Sequence, residues 1–305
     1  MEYQQNIEAV FREDQSLPYT ILYDKGNTKV YRIDTPNPII IRVAEGDTSS
    51  HQFQAALLEE LAAQDELTAR ILYWEIREIG DKPYGIQVQT YIPGKPLGHY
   101  PNKEQSKAIV GAIYNLHKRL CIASSRLGIS SIPDIHKTVQ QLYSLVDNCP
   151  IKAAATKLLE QKRYLELISQ TEQCIIHGDL WYKNIHIEQT QNEIDVRLVD
   201  IDPLILGPKI LQPAILFSSY FLLTALTIDP NAQEIFDLDG LLSYWPEPLN
   251  KKDVLLMMQL FPVGVGLLKE IRFSQDPHTN PEIHRSAMEP LERSIQIICE
   301  ISGMT

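Results

Sequence analysis

Residues 174–207 form the sequence CIIHGDLWYKNIHIEQTQNEIDVRLVDIDPLILG, which contains most of the side chains able to carry chemistry. Asp179 ends an HGD sequence, Asn184 follows five residues later, and Asp200 and Asp202 come after a polar segment. Phosphoryl transfer needs a carboxylate that orients an attacking hydroxyl, and further oxygen ligands that hold Mg²⁺ on the nucleotide phosphates. Asp179 fits the first role, while Asn184, Asp200 and Asp202 fit the second.

The pattern of apolar residues predicts three strands around these side chains. Residues 174–176 are apolar and predict a buried strand that ends at the HGD turn. Residues 185–187 and 196–199 predict two further strands, joined by a polar hairpin loop. This hairpin would bring Asp200 back beside Asn184, so that both could bind one metal ion.

The same residue types have a structural alternative. Asp, Asn and His side chains near turns often cap helices or sit on the surface, so HGD alone is weak evidence. The complete order of HGDxxxxN, strand, hairpin, strand and DxD is far more specific, and it favours phosphotransfer.

HGDLWYKN, followed by LVDIDPLILGP, resembles the aminoglycoside phosphotransferase family, which includes choline kinases and shares the protein-kinase-like fold. The resemblance implies that Asp179 is the catalytic aspartate and that Asn184 and Asp200 bind metal, with Asp202 as a second acidic residue. It implies Mg²⁺ and ATP, or GTP, as cofactors. It also implies an α+β fold of two lobes: a small N-terminal antiparallel sheet plus helix, and a larger, mainly helical C-terminal lobe that contains the catalytic hairpin.

Residues 1–92 are expected to form the nucleotide-binding lobe. The sequence pattern predicts an amphipathic helix and a turn over residues 1–20 and a second helix at 51–64. Apolar and alternating patterns predict five strands, at 19–23, 29–33, 39–43, 71–79 and 84–92. Between the first two strands, DKGNTKVYRI resembles the nucleotide loop of the family and makes Gly26, Asn27 and Thr28 candidate phosphate contacts. An ordinary hairpin turn is the alternative.

Two positions in this lobe depart from the commonest kinase pattern. Arg42 lies on the third strand, where kinase-like folds place a phosphate-binding Lys, and it is a candidate nucleotide ligand. The family spacing points to Gln54, rather than a Glu, as its helix partner. The expected ion pair is therefore weak or rearranged, although a Gln could still accept a hydrogen bond from Arg42.

The sequence QVQTYIPGKPLG resembles the family's hinge between lobes, where adenine binds to backbone groups. The corresponding residues here are Gln89, Thr90, Tyr91 and Ile92. Backbone contacts leave little trace in side chains, so an edge strand followed by a loop is an open alternative.

Residues 93–305 are expected to form the catalytic and acceptor-binding lobe, with helices at 103–120 and 152–169 and a helical tail. We expect His177 to support the backbone of the catalytic loop, and Trp181 either to contact the acceptor or to fill core. Many family members carry a buried Asp at the position of Gln212, where it holds the catalytic loop. With Gln at this position, we expect the loop to be held less rigidly.

Composition limits the classes of partner. The net charge is −11 and the pI is near 5.2, which argues against nucleic acid as a partner, because phosphate backbones recruit Lys and Arg. An acidic surface would suit a cationic acceptor, but solvated acidic faces are equally common. Four cysteines without CxxC spacing, and no signal peptide at the N-terminus, predict a cytoplasmic protein with reduced thiols that does not span a membrane.

The leading interpretation is a Mg²⁺- and ATP-dependent kinase that phosphorylates a hydroxyl of a small molecule such as an amino alcohol, aminoglycoside, sugar or glycated amine. The alternative is a non-catalytic kinase-like nucleotide-binding protein, which the departures at Arg42, Gln54 and Gln212 would favour. A protein kinase is disfavoured because GxGxxG, HRD, DFG and APE are missing from the sequence.

Overall fold

The computed structural model describes residues 2–12, 18–25, 27–46, 48–62, 67–97, 101–127, 132–170, 172–191, 193–200, 204–226, 237–275 and 280–303. The chain divides into two compact units. The first contains Met1–Gly94, Ser125–Ser131 and Arg197–Val199, and the second contains Lys95–Ser124, Ile132–Val196 and Asp200–Thr305.

The first unit contains a five-stranded antiparallel sheet and two helices. Its elements are α1 (Glu2–Phe11), β1 (Tyr19–Lys25), β2 (Thr28–Ile33), β3 (Ile39–Glu45), α2 (Thr48–Ala62), β4 (Ile71–Ile79) and β5 (Lys82–Thr90). The strand order is β1-β2-β3-β5-β4, so β3 and β5 lie inside the sheet. The five predicted strands and the two predicted helices are all present, and β5 ends before Tyr91 and Ile92.

β3 is apolar along most of its length, and five of its seven residues are buried. It pairs with β2 on one side and with β5 on the other. Alternate side chains of the sheet pack against α1 in one core. The buried members of that core are Ile7, Val10, Tyr31, Ile33, Ile39, Ile41, Val43, Ile86 and Val88. This packing fixes the register of the sheet, since a slip of one residue would expose the buried set.

The second unit is mainly helical. Its helices are α3 (Lys103–Leu127), α4 (Ile135–Leu145), α5 (Pro150–Glu160), α6 (Lys162–Gln170), α7 (Leu211–Leu226), α8 (Leu238–Tyr244), α9 (Lys251–Met258), α10 (Leu260–Gln275) and α11 (Pro281–Ser302). Its strands are β6 (Lys95–Pro96), β7 (Gln173–His177), β8 (Ile185–Gln189), β9 (Ile194–Leu198) and β10 (Leu204–Pro208). The α+β, kinase-like architecture predicted from the sequence is confirmed.

The strands of the second unit form two small sheets that position the HGD turn. β7 pairs with β10 in antiparallel register, with Cys174 opposite Gly207 and His177 opposite Leu204. β8 lies between β6 and β9 in a three-stranded sheet. The hairpin of β8 and β9 agrees with the prediction, and its loop is closed by a hydrogen bond from Thr190 N–H to Glu193 O at 2.9 Å.

Two helical predictions need correction. The single helix predicted at 152–169 is two helices, because Gln161 adopts an extended conformation (φ −67°, ψ 123°) between α5 and α6. α3 continues to Leu127 rather than ending at residue 120.

α9 and α10 together form a stretch that is long and apolar enough to qualify by composition as a membrane span. This span would be Lys251–Gln275, and 61% of the 18-residue apolar window that qualifies it is buried inside the protein. α9 and α10 divide it at Gln259, whose N–H caps α9. Core helices commonly pass the same test, so the stretch is weak evidence for a membrane.

Candidate active site

The HGD turn begins where β7 ends. Buried β7 delivers His177, whose side chain is fully buried, and the chain turns at Gly178 and Asp179. The backbone N–H of Asp179 donates to Nδ1 of His177 at 3.2 Å. The imidazole therefore accepts a hydrogen bond from the turn that carries the carboxylate and holds that turn in place.

Asn184 closes the loop from the other side. It ends a single 3₁₀ turn, Tyr182–Asn184, directly before β8. Its Nδ2 donates to the backbone oxygen of Asp179 at 3.0 Å and to Oδ2 of the same residue at 3.1 Å. One side-chain amide thus fixes both the backbone and the carboxylate of Asp179, and it leaves Oδ1 of Asn184 for another ligand.

The Asp179 carboxyl is half-buried. Burial raises its pKa above the ordinary value for aspartate, and the hydrogen bond from Asn184 opposes that rise. A carboxylate with a raised pKa is a better proton acceptor, which suits a group that orients and deprotonates a hydroxyl.

Gln212 attaches the N-terminal turn of α7 to the same loop. Its Oε1 accepts the His177 N–H at 3.0 Å, and its Nε2 lies 3.5 Å from His177 O. The Gln212 side chain is fully buried. The longer amide of Gln212 therefore anchors the main chain of the loop to α7, and the rigidity of the loop stays a prediction.

The proposed metal ligands after β9 are only partly within the described residues. Asp200 directly follows Val199, is exposed, and has a positive φ of 56°. Asp tolerates this left-handed conformation better than most residues, and non-glycine residues held there often occur at functional sites. Asp202 lies outside the described residues, so its predicted role stays a prediction, as does the shared metal of Asp200 and Asn184.

In the first unit, Arg42 lies on β3 opposite Val30 of β2 and Gln87 of β5. Gln87 is buried and its Nε2 donates to Oε1 of Gln54 on α2 at 2.9 Å. Gln54 thus contacts the residue opposite Arg42, and α2 is attached to the sheet by a neutral hydrogen bond at this position.

The turn between β1 and β2 contains the predicted phosphate contacts. Asn27 is exposed, and its carbonyl oxygen accepts the Glu45 N–H at 2.8 Å. Thr28 begins β2 and pairs with Lys25 and Ala44. Gly26 lies outside the described residues.

The predicted adenine-binding segment has most of its amides occupied. Thr90 N–H donates to Arg70 O at 3.0 Å, and Tyr91 N–H donates to Pro38 O at 3.3 Å. Gln89 lies within β5, paired with Ile40. Among the residues that the structure describes, Ile92 has no protein acceptor for its N–H, and this amide is therefore available to a base.

Trp181 belongs to a small aromatic cluster. Its ring lies 4.8 Å from that of Tyr182 and 6.3 Å from that of Phe261, measured between centroids, and it is stacked on Phe261. All three side chains are partly exposed. The sequence analysis did not identify Phe261, because no pattern in the sequence of an apolar helix shows which ring lies beside Trp181.

The acidic side chains of the tail that could meet a cationic acceptor have local partners. Asp237 caps α8 and accepts the Gly240 N–H at 2.8 Å, and Glu247 accepts the Tyr114 hydroxyl at 2.9 Å. Asp239 and Glu270 contact a Lys and a His side chain, respectively. These contacts agree with structural roles at the surface of the second unit.

The chain is similar to proteins of one enzyme family. The family model described as "Phosphotransferase enzyme family" (APH) matches residues 22–196, more than half of the chain. The match includes Asp179 and Asn184 and ends before Asp200. No curated protein matches the sequence.

Three solved structures share the fold. A putative aminoglycoside phosphotransferase from Ralstonia eutropha JMP134 aligns with a TM-score of 0.65 at 12% identity and covers 98% of both chains. The choline kinase LicA from Streptococcus pneumoniae aligns at 0.61 and 15% identity, over 97% of this chain and 99% of its own. The GDP complex of an aminoglycoside 2′-phosphotransferase IIIa mutant aligns at 0.63 and 12% identity, over 98% of both. With its fold, its HGD loop and the family match together, the chain belongs to the phosphotransferase enzyme family.

Proposed function

We propose that this protein is a Mg²⁺- and ATP-dependent kinase that transfers the γ-phosphate to a hydroxyl of a small molecule. The observation that carries the proposal is the hydrogen-bonded Asp179, held by Asn184 on one side and by His177 on the other. A fixed carboxylate with a raised pKa can orient an alcohol and accept its proton as the phosphoryl group is transferred.

Two described side chains of the second unit carry oxygen atoms suitable for Mg²⁺. Asn184 donates through Nδ2, so its Oδ1 is directed away from Asp179, and Asp200 contributes an exposed carboxylate. Carboxylate and amide oxygens are the protein ligands of this hard cation. When bound, Mg²⁺ would neutralise charge on the nucleotide phosphates, with Asp202 as a further candidate ligand.

We propose that residues 1–92 bind the nucleotide, and that residues 93–305 bind the acceptor and carry the catalytic groups. Arg42, with Gly26, Asn27 and Thr28, would contact phosphates. The base would bind along residues 89–92, where the Ile92 N–H is a free donor among the described residues. ATP is the first choice of donor, and GTP is the second, because one of the similar structures is a GDP complex.

The acceptor class that we propose is a hydroxylated amine. Aromatic rings attract organic cations, and two of the three rings of the Trp181 cluster, those of Trp181 and Tyr182, lie on the catalytic loop itself. By analogy of fold, the similar structures include a choline kinase and aminoglycoside phosphotransferases. The net charge of −11 favours the approach of a cation. We place the enzyme in the cytoplasm, where nucleoside triphosphates are abundant.

The experiment is an ADP-release assay with Mg-ATP, and in parallel Mg-GTP, across amino alcohols, aminoglycosides, sugars and glycated amines. Asp179→Asn serves as the inactive variant and Glu188→Gln, on the exposed face of β8, as the matched control. We expect turnover with a hydroxylated amine in wild type and Glu188→Gln, and its loss in Asp179→Asn. Equal turnover in Asp179→Asn would refute the proposed role.

A binding-only protein is the second candidate, favoured by one observation. Gln54 is hydrogen-bonded to Gln87, and it stands at the helix position where kinase-like folds usually carry a Glu. This candidate predicts Mg-ATP binding without γ-phosphate transfer to any acceptor and without hydrolysis. Calorimetric titration of ATP beside the turnover assay distinguishes the two.

A further inference from the structure

A cluster of soft metal ligands lies in the second unit, outside the proposed catalytic residues. His117 and Cys121 are on α3, and Cys174 is on β7. One nitrogen or sulfur atom from each of the three residues lies within 4.8 Å of the others. Among the described residues this is the one group of His, Cys, Asp and Glu side chains close enough to hold a metal ion.

The helix presents its two ligands on one face. His117 and Cys121 are four residues apart, a spacing that places side chains above one another on a helix. Ser124, one turn further, accepts the Ile175 N–H with its Oγ at 2.7 Å. This face of α3 is therefore attached to β7 next to Cys174, and the position of the third ligand is fixed by the backbone.

We propose that His117, Cys121 and Cys174 form a binding site for Zn²⁺. The ion prefers imidazole nitrogen and thiolate sulfur in tetrahedral geometry. Bond lengths of roughly 2.3 Å to sulfur and 2.0–2.1 Å to nitrogen place those two ligand atoms about 3.6 Å apart. Cys121 Sγ lies 3.8 Å from either ring nitrogen of His117, close to that separation, and rotation of the imidazole would direct one nitrogen at the ion.

Charge and exposure suit this ion. Two thiolates and a neutral imidazole balance the charge of Zn²⁺. His117 and Cys174 are buried, whereas Cys121 is partly exposed, so water can reach the fourth position. Hard ions such as Mg²⁺ prefer oxygen and would not compete here.

The site would join α3 to the strand that carries the catalytic turn. Cys174 is three residues before His177, and β7 is continuous between them. Bound Zn²⁺ would therefore add a cross-link beside the Ser124 hydrogen bond and resist separation of β7 from α3. This is a structural role, and it does not depend on the proposed kinase activity.

The test is metal binding to the full-length chain after reduction and treatment with a chelator. We expect about one equivalent of Zn²⁺ in equilibrium dialysis with elemental analysis, and a thiolate-to-cobalt charge-transfer band when Co²⁺ is used instead. Cys149→Ser is the matched control, because Cys149 caps α5 and Ser can do the same.

Loss of one ligand should weaken binding strongly. We expect Cys121→Ser, Cys174→Ala and His117→Gln each to lower the Zn²⁺ affinity by more than the roughly 10–100-fold caused by losing an outer-shell partner. Far-UV circular dichroism identifies any variant that fails to fold. Because Cys121 is partly exposed, its substitution should disturb core packing least.

Three results would overturn the proposal. The first is that the reduced wild type binds neither Zn²⁺ nor Co²⁺. The second is that the folded Cys121→Ser variant shows an unchanged cobalt band. The third is that Cys149→Ser is the one variant that loses the band. A disulfide between Cys121 and Cys174 found by peptide mapping, with no Zn²⁺ binding after its reduction, would also count against the site.

Discussion

The conformation of Asp179 depends on a few polar contacts made by its neighbours. His177 and Asn184 bind its backbone, and Asn184 also binds its carboxylate. The motif HGDxxxxN predicts that Asp179 and Asn184 lie in the same site. It cannot predict that the amide donates to the carboxylate, because that contact depends on the 3₁₀ turn between them.

The first prediction concerns the charge of Asp179. Asp179→Asn should lower kcat by roughly 10²–10⁴-fold, the usual contribution of a positioned base, and leave the Kd for ATP within about twofold. Because the native site disfavours the ionised carboxyl, the same substitution should raise the melting temperature near neutral pH. Parallel kinetics, calorimetry and thermal unfolding check all three.

The second prediction is the pH dependence of turnover. Asp179 must be ionised to accept a proton, and burial raises its pKa. The acid limb of kcat/KM should therefore lie above the value of about 3.9 for an ordinary aspartate. Circular dichroism at each pH separates titration from unfolding. Full activity down to pH values near 4 would show that Asp179 does not control the reaction.

The third prediction separates charge from backbone conformation at Asp200. Asp200→Asn keeps a residue that tolerates φ of 56° and should lose Mg²⁺-dependent turnover while unfolding at the wild-type temperature. Asp200→Ala should lose turnover and also destabilise the chain, by about 1–3 kcal/mol. Normal Mg²⁺ dependence in the Asn variant would exclude Asp200 as a ligand.

At the scale of elements, α7 is linked to the catalytic loop by the Gln212 side chain. The family resemblance led us to expect looser anchoring here, because it compares residue types rather than contacts. The structure shows that a neutral amide, one methylene longer than the amide of Asn, reaches both the N–H and the oxygen of His177.

The fourth prediction tests this anchor. Gln212→Met keeps the length of the side chain but leaves the buried His177 N–H without an acceptor, so the free energy of unfolding should fall by about 1–3 kcal/mol. Turnover should also fall, since His177 positions the Asp179 turn. Gln141→Met, on an exposed face of α4, is the control. Wild-type stability in Gln212→Met would mean that the anchor contributes little.

The elements show what pattern analysis can and cannot find. Long periodic segments such as α3 and the five strands of the first unit were predicted, because burial on one face repeats along the sequence. The break at Gln161 was not, since no Pro or Gly marks it and only packing of α5 and α6 requires it. The cluster of His117, Cys121 and Cys174 was also missed, because β7 lies far from α3 in sequence.

At the scale of the whole molecule, the family resemblance carried by the HGD loop and the strands after it implied the fold, which the structure and the similar proteins confirm. The acceptor could not be predicted, because acceptor choice depends on side chains of the second unit rather than on the fold. The aromatic ring of Phe261 beside Trp181 is an example, since it became apparent only in three dimensions.

The fifth prediction concerns stability of the whole chain with ligands. Mg-ATP at about 100 times its Kd should stabilise the protein by roughly 2.7 kcal/mol, an increase of several degrees in melting temperature. Addition of EDTA should remove most of that increase. The melting temperature measured with EDTA but without nucleotide tests the contribution of the proposed Zn²⁺ site. An unchanged melting temperature with saturating Mg-ATP would argue against nucleotide binding.

The central claim is transfer of a phosphoryl group to a hydroxyl with Asp179 as the orienting carboxylate. Its most direct test is to incubate ATP labelled in the γ-phosphate with Mg²⁺ and a hydroxylated amine, and to follow the label by mass spectrometry. We predict that wild type places the labelled phosphate on the acceptor oxygen and that Asp179→Asn, although it still binds ATP, does so at least about 100-fold more slowly. Equally fast labelling by both proteins would contradict the account.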